Sequence, residues 1–324
     1  MARIFVTGST DGLGKAAARA AMDAGHAVVL HARNQARLRA VADLADRAAG
    51  VVVGDLSNQD ETEDLAEQVN EIGRMDAVIH NAGVLDEPGD PMSGAGYPRI
   101  LMVNAVAPYL LTCRMARPHR VIYLSSDMHH RGDPSLADLD WDRRTWNASQ
   151  AYSDSKLFVT ALALAIARRW PDVCSNAVDP GWVPTKMGGP GAPDDLWAGH
   201  LTQVWLAVSD DPDATTSGGY WYHQRRRIAA PAARDEGFQP GAGSFGHGQG
   251  HAAGDGVGLD RAHSARTRTN RTSPSPRVTG NGHHPGPQLR LPRGHRPPHA
   301  VEHREDAAEH MAFTVACPTC ITCS

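Results

Sequence analysis

Lysine is what the chain most conspicuously lacks. Of 32 Lys and Arg in 324 residues only three are lysine, at positions 15, 156 and 186. With a formal net charge of -4, the arginines make no broadly basic surface, which argues against a nucleic-acid partner. Long hydrophobic runs are missing too. No stretch approaches the roughly eighteen apolar residues of a membrane span, and Met1 leads straight into a short apolar strand without a charged leader segment. The expectation is a cytoplasmic protein with no membrane partner. Aromatic residues are only 6% of the chain and cysteines number five, too few for a disulfide scaffold of this length. Cys113 and Cys174 fall in predicted core elements and read as small apolar residues.

What is present is enough apolar sequence, 41%, for a globular domain, but it is unevenly spread. After residue 240 the composition turns to Gly, Pro, His, Arg and Ser, with 11 Ile, Leu, Val, Phe and Met among 84 residues. Such a segment buries too little apolar surface to offset its ordering entropy, so residues 240–324 are predicted to be a disordered tail or the product of a frame change. Cys317, Cys320 and Cys323 in that tail have the spacing of thiolate metal ligands, but no fourth ligand stands at a set distance, and no metal is expected.

Residues 1–239 alternate apolar runs with helical patterns. Runs at 3–7, 27–31, 50–54, 75–80, 120–125, 173–178 and 219–223 read as strands. Segments at 12–24, 34–48, 58–72, 97–115 and 151–170 read as helices. Continuous apolar strands separated by helices predict a parallel sheet covered on both faces, an α/β doubly wound fold in a single domain.

The first strand opens into Thr7-Gly8-Ser9-Thr10-Asp11-Gly12-Leu13-Gly14 and then a helix. Glycines there allow a tight turn and close approach to a pyrophosphate, while the helix start offers free N–H groups. At the tip of the second strand, where an NAD site would carry an acid for the ribose 2′-hydroxyl, stand Ala32 and Arg33. With Lys15 beside the turn, two cations would flank a 2′-phosphate, so NADP(H) is the preferred cofactor and NAD(H) the second choice. Both cations also suit an ordinary solvated surface. Asp55, ending the third strand, suits either an adenine amino group or a helix N-cap.

Further along come His80-Asn81-Ala82-Gly83, Val103-Asn104, Leu124-Ser125-Ser126, Tyr152-Ser153-Asp154-Ser155-Lys156 and Asp179-Pro180-Gly181-Trp182. Together with the glycine turn, these motifs resemble the short-chain dehydrogenase/reductase family, in its retinol-dehydrogenase-like and WW-domain-oxidoreductase-like branch. The resemblance implies a Rossmann-type fold and an oxidoreductase moving hydride between NADP(H) and a carbonyl or alcohol. It implies that Tyr152 is the general acid/base, that Lys156 binds the nicotinamide ribose and tunes Tyr152, and that Ser126 orients the substrate oxygen. Asn104 would order a water toward Lys156, or would hold a helix kink. Tyr152 and Lys156 lie four apart on one helix face, where the ammonium is expected to favour phenolate. Ser125 should face away from Ser126.

The implied cofactor contacts are Gly8, Thr10, Asp11, Gly12, Leu13, Gly14 and Lys15 in the turn, and Arg33, Asp55 and Leu56 after the next strands. Asn81, Ala82 and Gly83 would pass close to the ribose, joined by Tyr152 and Lys156. Pro180, Gly181, Val183 and Thr185 would meet the nicotinamide, with Thr185 on its carboxamide. His80 stands where the family more often has Asn and is given no catalytic part. A lid over 187–206 and an insertion at 127–150, with Met128, Trp141 and Trp146, would wall a small apolar substrate. The connection from Asn104 to Ser125 is short, so the 97–115 helix should stop near Arg117 and Pro118. A homo-oligomer is allowed. A dinucleotide-binding regulator or scaffold without catalysis is the alternative, opposed by the complete Asn104, Ser126, Tyr152 and Lys156 set.

Overall fold

Short strands buried on both faces organise the fold. The computed structural model describes residues 1–85, 92–93 and 96–238. Expectations for the tail and its cysteines lie outside the described residues. The chain runs through β1 (Arg3–Val6), α1 (Gly12–Asp23) and β2 (Ala27–Ala32), then a 3-10 segment (Gln35–Val41) and one α turn, α2 (Ala42–Ala45). Next are β3 (Gly50–Val53), α3 (Gln59–Ile72) and β4 (Ala77–His80). The following helix has three parts, α4 (Arg99–Leu101), a π-helical stretch (Met102–Val106) and α5 (Ala107–Arg114). Then come β5 (Arg120–Leu124), a 3-10 turn (Asp127–Arg131), α6 (Ala148–Arg169), β6 (Cys174–Asp179), α7 (Leu196–Val208), β7 (Gly219–Tyr222), β8 (Arg225–Arg227) and α8 (Pro231–Arg234).

The strands form one sheet in the order β3-β2-β1-β4-β5-β6-β7-β8, parallel except for β8. Ile4 and Val6 of β1 pack with Val28, Leu30 and Ile79 in a cluster shared with Ala17 and Ala21 of α1 and Leu206 of α7. Phe5 joins Val29 and Val78 in a second cluster with Leu65 of α3 and Leu111 of α5. Farther along, Val121, Tyr123 and Ala177 meet Leu157, Ala161 and Leu164 of α6. Each fully buried Leu or Ile contributes about 2 kcal/mol, so burial on both sheet faces outweighs local propensity in fixing these elements. The predicted doubly wound α/β fold is the observed one. Among the described residues, no helix is long and apolar enough to cross a membrane.

Three local expectations are corrected, and one hairpin carries no sequence signal. The 34–48 segment is mostly 3-10, because only Val41 and Leu44, three apart, are buried, and that spacing suits three residues per turn. The 97–115 helix is interrupted by its π stretch. The lid ends early, since Asp195 caps α7 by accepting from Trp197 N at 2.5 Å, and Val204, Leu206 and Ala207 then enter the core. The hairpin to β8 turns on His223 and Gln224, both at positive φ (48° and 59°), in place of the usual Asn-Gly signal. Its three exposed arginines guard the sheet edge.

His80 closes β4 inside the core. Thr112 Oγ1 donates to Pro108 O at 2.7 Å and accepts from His80 Nε2 at 3.1 Å and Tyr123 Oη at 2.8 Å. The imidazole stacks on Tyr123, and its Nδ1 has no hydrogen-bond partner. Burial pulls its pKa down to about 3. An unfolded imidazole takes its proton near pH 6.5, so between these values the unfolded chain binds more protons. Stability from this group is complete above pH 6.5 and falls with pH, by about 2 kcal/mol at pH 5. Urea midpoints should therefore drop from pH 7 to pH 5, and His80→Asn, which cannot titrate, should show a shallower drop. An identical slope in the variant would remove His80 from the account.

Candidate active site

Strand order reverses between β1 and β4, and a crevice opens at the strands' carboxyl ends. There a cleft of about 610 Å³ is lined by the glycine turn, the tips of β2, β3 and β4, the start of α6 and the loop after β6. Gly8 adopts φ +64°, and a side chain on it would meet Ala82 Cα at 3.0 Å. A Cβ on Gly14 would overlap Gly8 O and Asn81 Nδ2. The turn is tied across the crevice, since Thr7 O accepts from Asn81 Nδ2 and Thr7 Oγ1 from Ala82 N, both at 3.0 Å. Asp11 caps α1 by accepting from Gly12 N at 2.9 Å.

Gly8, Thr10, Asp11, Gly12, Leu13, Arg33, Asp55, Leu56, Asn81, Ala82, Gly83, Tyr152, Lys156, Pro180 and Thr185 all line this cleft. Gly14 lies behind the turn. Gly181 and Val183 shape the lid from behind, with Gly181 N donating to Asp179 Oδ1 at 2.9 Å and Val183 buried. Lys15 is a correction. It turns away along α1 to Asp43, 3.3 Å off, and to the carbonyl of Ala40. The rim cations beside Arg33 are instead Arg37 and Lys186, both bonded to Asp11, with Arg37 at 3.2 Å. The Lys186 hydrogen bond, foremost, holds the Asp11 carboxyl below its ordinary range. Asp55 is not the helix cap either. Asn58 caps α3, while Asp55 Oδ1 accepts from Ser57 N and Oγ in a local turn.

Toward the far end of the cleft, α6 presents Tyr152 and Lys156. Lys156 is only 3% exposed, its Nζ donates to Leu124 O at 2.8 Å, and it lies 5.4 Å from the Tyr152 ring. Ser126 Oγ, close enough to the Tyr152 phenol to oppose the rise in its pKa, accepts from Met128 N at 3.2 Å. Ser125 is among the residues lining the cleft and Ser126 is not, while Ser125 Oγ lies 2.5 Å from Thr160 Oγ1. Asn104 sits in the π stretch, where Oδ1 accepts from Val84 N (2.8 Å) and Nδ2 donates to Val84 O (2.9 Å) and Ser155 Oγ (3.0 Å). These bonds tie the π stretch to the loop after β4 and to α6.

Among the protein's own groups, burial opposes the phenolate. Tyr152 is pushed up to about 12 by burial, against the Ser126 hydrogen bond and with help from Asp179. Lys156 is pulled down to about 8 by burial, with Asp179 opposing. The phenol is therefore held in its proton-carrying form.

The family model described as Enoyl-(Acyl carrier protein) reductase matches residues 8–205. The chain is 43% identical over 236 residues to the short-chain dehydrogenase chry4 of Gibberella zeae, covering 72% of this chain and 90% of that protein. This chain belongs to the short-chain dehydrogenase/reductase family. It is similar to human retinol dehydrogenase 13 as well, at 28% identity over 269 residues, 72% of this chain and 80% of that one. Among solved structures, a Shigella flexneri short-chain dehydrogenase complexed with NADP shares the fold, with a TM-score of 0.53 and 22% identity over 69% of this chain and 97% of that one. The protein is an NAD(P)-dependent oxidoreductase of this family, acting on a small-molecule carbonyl or alcohol.

Sequence reading missed His31, Arg37 and Lys186 as cleft residues. Arg37 carried no periodic signal, since Arg33 lies before the extended Asn34 cap of the 3-10 segment that holds Arg37. His31 and Lys186 carried none. Because Gly14 has no room for a methyl, Gly14→Ala should displace the turn. Dinucleotide affinity, read by fluorescence titration, should fall tenfold or more, and unaltered affinity would mean that the turn does not shape the site.

Proposed function

We propose that this chain carries out reversible hydride transfer between NADP(H) and an apolar ketone, aldehyde or alcohol, with Tyr152 as general acid/base. The observation that carries this reading is the buried Lys156 at the cleft end, its Nζ on Leu124 O at 2.8 Å and 5.4 Å from the Tyr152 ring. A dinucleotide suits the residues present. The glycine turn leaves a cradle that a Cβ would fill, and Asn81 Oδ1 lines the cleft as a buried acceptor without a partner, suited to a donor. Arg33 and Arg37 stand at the tip of β2 with no carboxylate at Ala32, which supports a 2′-phosphate and hence NADP(H) over NAD(H).

When bound, the dinucleotide supplies the hydride chemistry. The protein supplies orientation and the proton. Ser126 already accepts from Met128 N, so its hydroxyl proton is available to a substrate oxygen and fixes that oxygen beside Tyr152. Tyr152, held protonated by burial, hands its proton to the oxygen during carbonyl reduction and recovers it in the reverse direction. Lys156, fixed on Leu124 O, places positive charge beneath the phenol and stabilises the anion left behind. Asn104, through Val84 and Ser155, keeps α6 against the β4 loop. Around Tyr152 lie Val84, Leu85, Ile100, Met128, Trp141 and Ala151, an apolar wall that favours an apolar substrate.

An NADPH-consumption screen over ketones, aldehydes and quinones tests the reaction class. Tyr152→Phe should cut turnover by about a thousandfold while NADPH binding persists, and substantial retained activity would refute the acid/base role. Arg37→Ala should weaken NADPH about tenfold and leave NADH nearly unchanged, and equal losses for both would refute the 2′-phosphate reading.

A further inference from the structure

The imidazole of His31 spans the crevice floor from the glycine turn to the tip of β3. It is 2% exposed and lines the cleft. Its Nδ1 lies 2.8 Å from Gly8 N and its Nε2 2.8 Å from Gly54 O. Both partners are backbone groups of fixed polarity. The amide of Gly8 can only donate and the carbonyl of Gly54 can only accept, so the ring must carry its proton on Nε2 and leave Nδ1 bare. An imidazolium would set a second N–H against the Gly8 N–H. The backbone of His31 is tied to the same turn, its N–H donating to Ser9 Oγ at 2.8 Å and its carbonyl accepting from Ser9 N at 3.2 Å.

We infer that His31 is a positioning residue of the cofactor site, whose uncharged imidazole holds Gly8 in the left-handed shape that receives the pyrophosphate. The inference rests on reading the cleft as the dinucleotide site. Gly8 sits at φ +64° against Ala82, and the hydrogen bond to Nδ1 aims its amide at the sheet instead of the cleft. That N–H is thereby removed from phosphate binding, and the rest of the turn and the start of α1 are left to face the anion. The charged groups facing the ring are Asp55 from the β3 tip and, at the cleft rim, Asp11 from the turn, Arg33 and Arg37 after β2, and Lys186 from the lid. Phe5 of β1 presents an uncharged ring 6.5 Å away. Burial keeps the imidazole neutral, against the Gly54 hydrogen bond and the pull of Asp55.

Two substitutions divide the ring's two bonds. In His31→Asn the amide oxygen takes the place of Nδ1 and can accept from Gly8. In His31→Gln the amide nitrogen takes the place of Nε2 and can donate to Gly54. NADPH affinity, titrated by fluorescence at pH 8, should stay within about threefold of wild type in His31→Asn and weaken about tenfold in His31→Gln. Equal weakening in the two, or the reverse order, would overturn the inference while leaving the dinucleotide reading intact. If the wild type binds neither NADPH nor NADH, the reading of the cleft itself fails. A measurement on the unmodified protein does not depend on either variant folding. Long-range ¹H–¹⁵N spectra should show His31 as the neutral Nε2–H tautomer from pH 8 to pH 6.5, and an Nδ1–H or doubly protonated ring would overturn the assignment.

Discussion

Everything at the active end of this molecule depends on taking one ammonium out of water. Lys156 lies almost wholly inside, with Nζ on the carbonyl that ends β5, and that single bond sets the height of α6 against the sheet. Further bonds hold the same register. Ser125 meets Thr160, Ser175 Oγ donates to Ala163 O, and Asn104 reaches Ser155. Tyr152, one turn before Lys156, is carried onto the cleft by the same helix. A guanidinium in place of Lys156 would bring five donors and a charge that cannot be shed, whereas an amine can sit on one carbonyl and tolerate a pKa pulled down to about 8. In a chain that otherwise prefers arginine, the buried position is where lysine's smaller head and softer titration matter.

The same desolvation works against the expected phenolate. An ammonium near a phenol favours its anion only if solvent or a partner leaves the ammonium fully charged and close. Here burial works on both groups and pushes each toward its neutral form, and Asp179 adds a negative charge that works against phenolate. Asp179 is itself buried, accepting from Gly181 N and from Tyr220 at 3.3 Å. The proton inventory of the site therefore belongs to a cluster of buried groups. It cannot be read from one spacing of four residues.

That distinction marks where the sequence was legible. Strand periodicity, the glycine turn and the Tyr152–Lys156 pair depend on neighbours close in the chain or on a fixed local period, and the structure places all of them in the expected elements. Local information also located Arg33, Asp55 and Asn81 on the cleft. It failed wherever a distant partner decides the outcome. Lys15 looked like a phosphate ligand until Asp43, on the α turn after β2, claimed it. His31 looked like an ordinary strand residue, yet its ring is defined by Gly8 and Gly54, both more than twenty residues away. Residues 196–206 read as lid because nothing local reveals that the end of this segment packs with α1 and Trp221. The β8 hairpin escaped because His223 and Gln224 adopt a conformation their side chains do not advertise.

Lys186 shows the limit most plainly. It lies 175 residues from Asp11, yet the two meet across the cleft and join the loop after β6 to the first turn of the fold. Arg37 reaches the same carboxylate from the third side. The rim is therefore not a patch of spare positive charge. An anion that enters must compete with Asp11 for cations that are already paired, and it gains only the excess of its own interaction over theirs. That exchange penalises any ligand carrying one weak negative charge and favours one with several oxygens to spread across Arg33, Arg37 and Lys186. Selectivity at this rim is built from the pairing that exists before a ligand arrives, and composition alone could not have shown it.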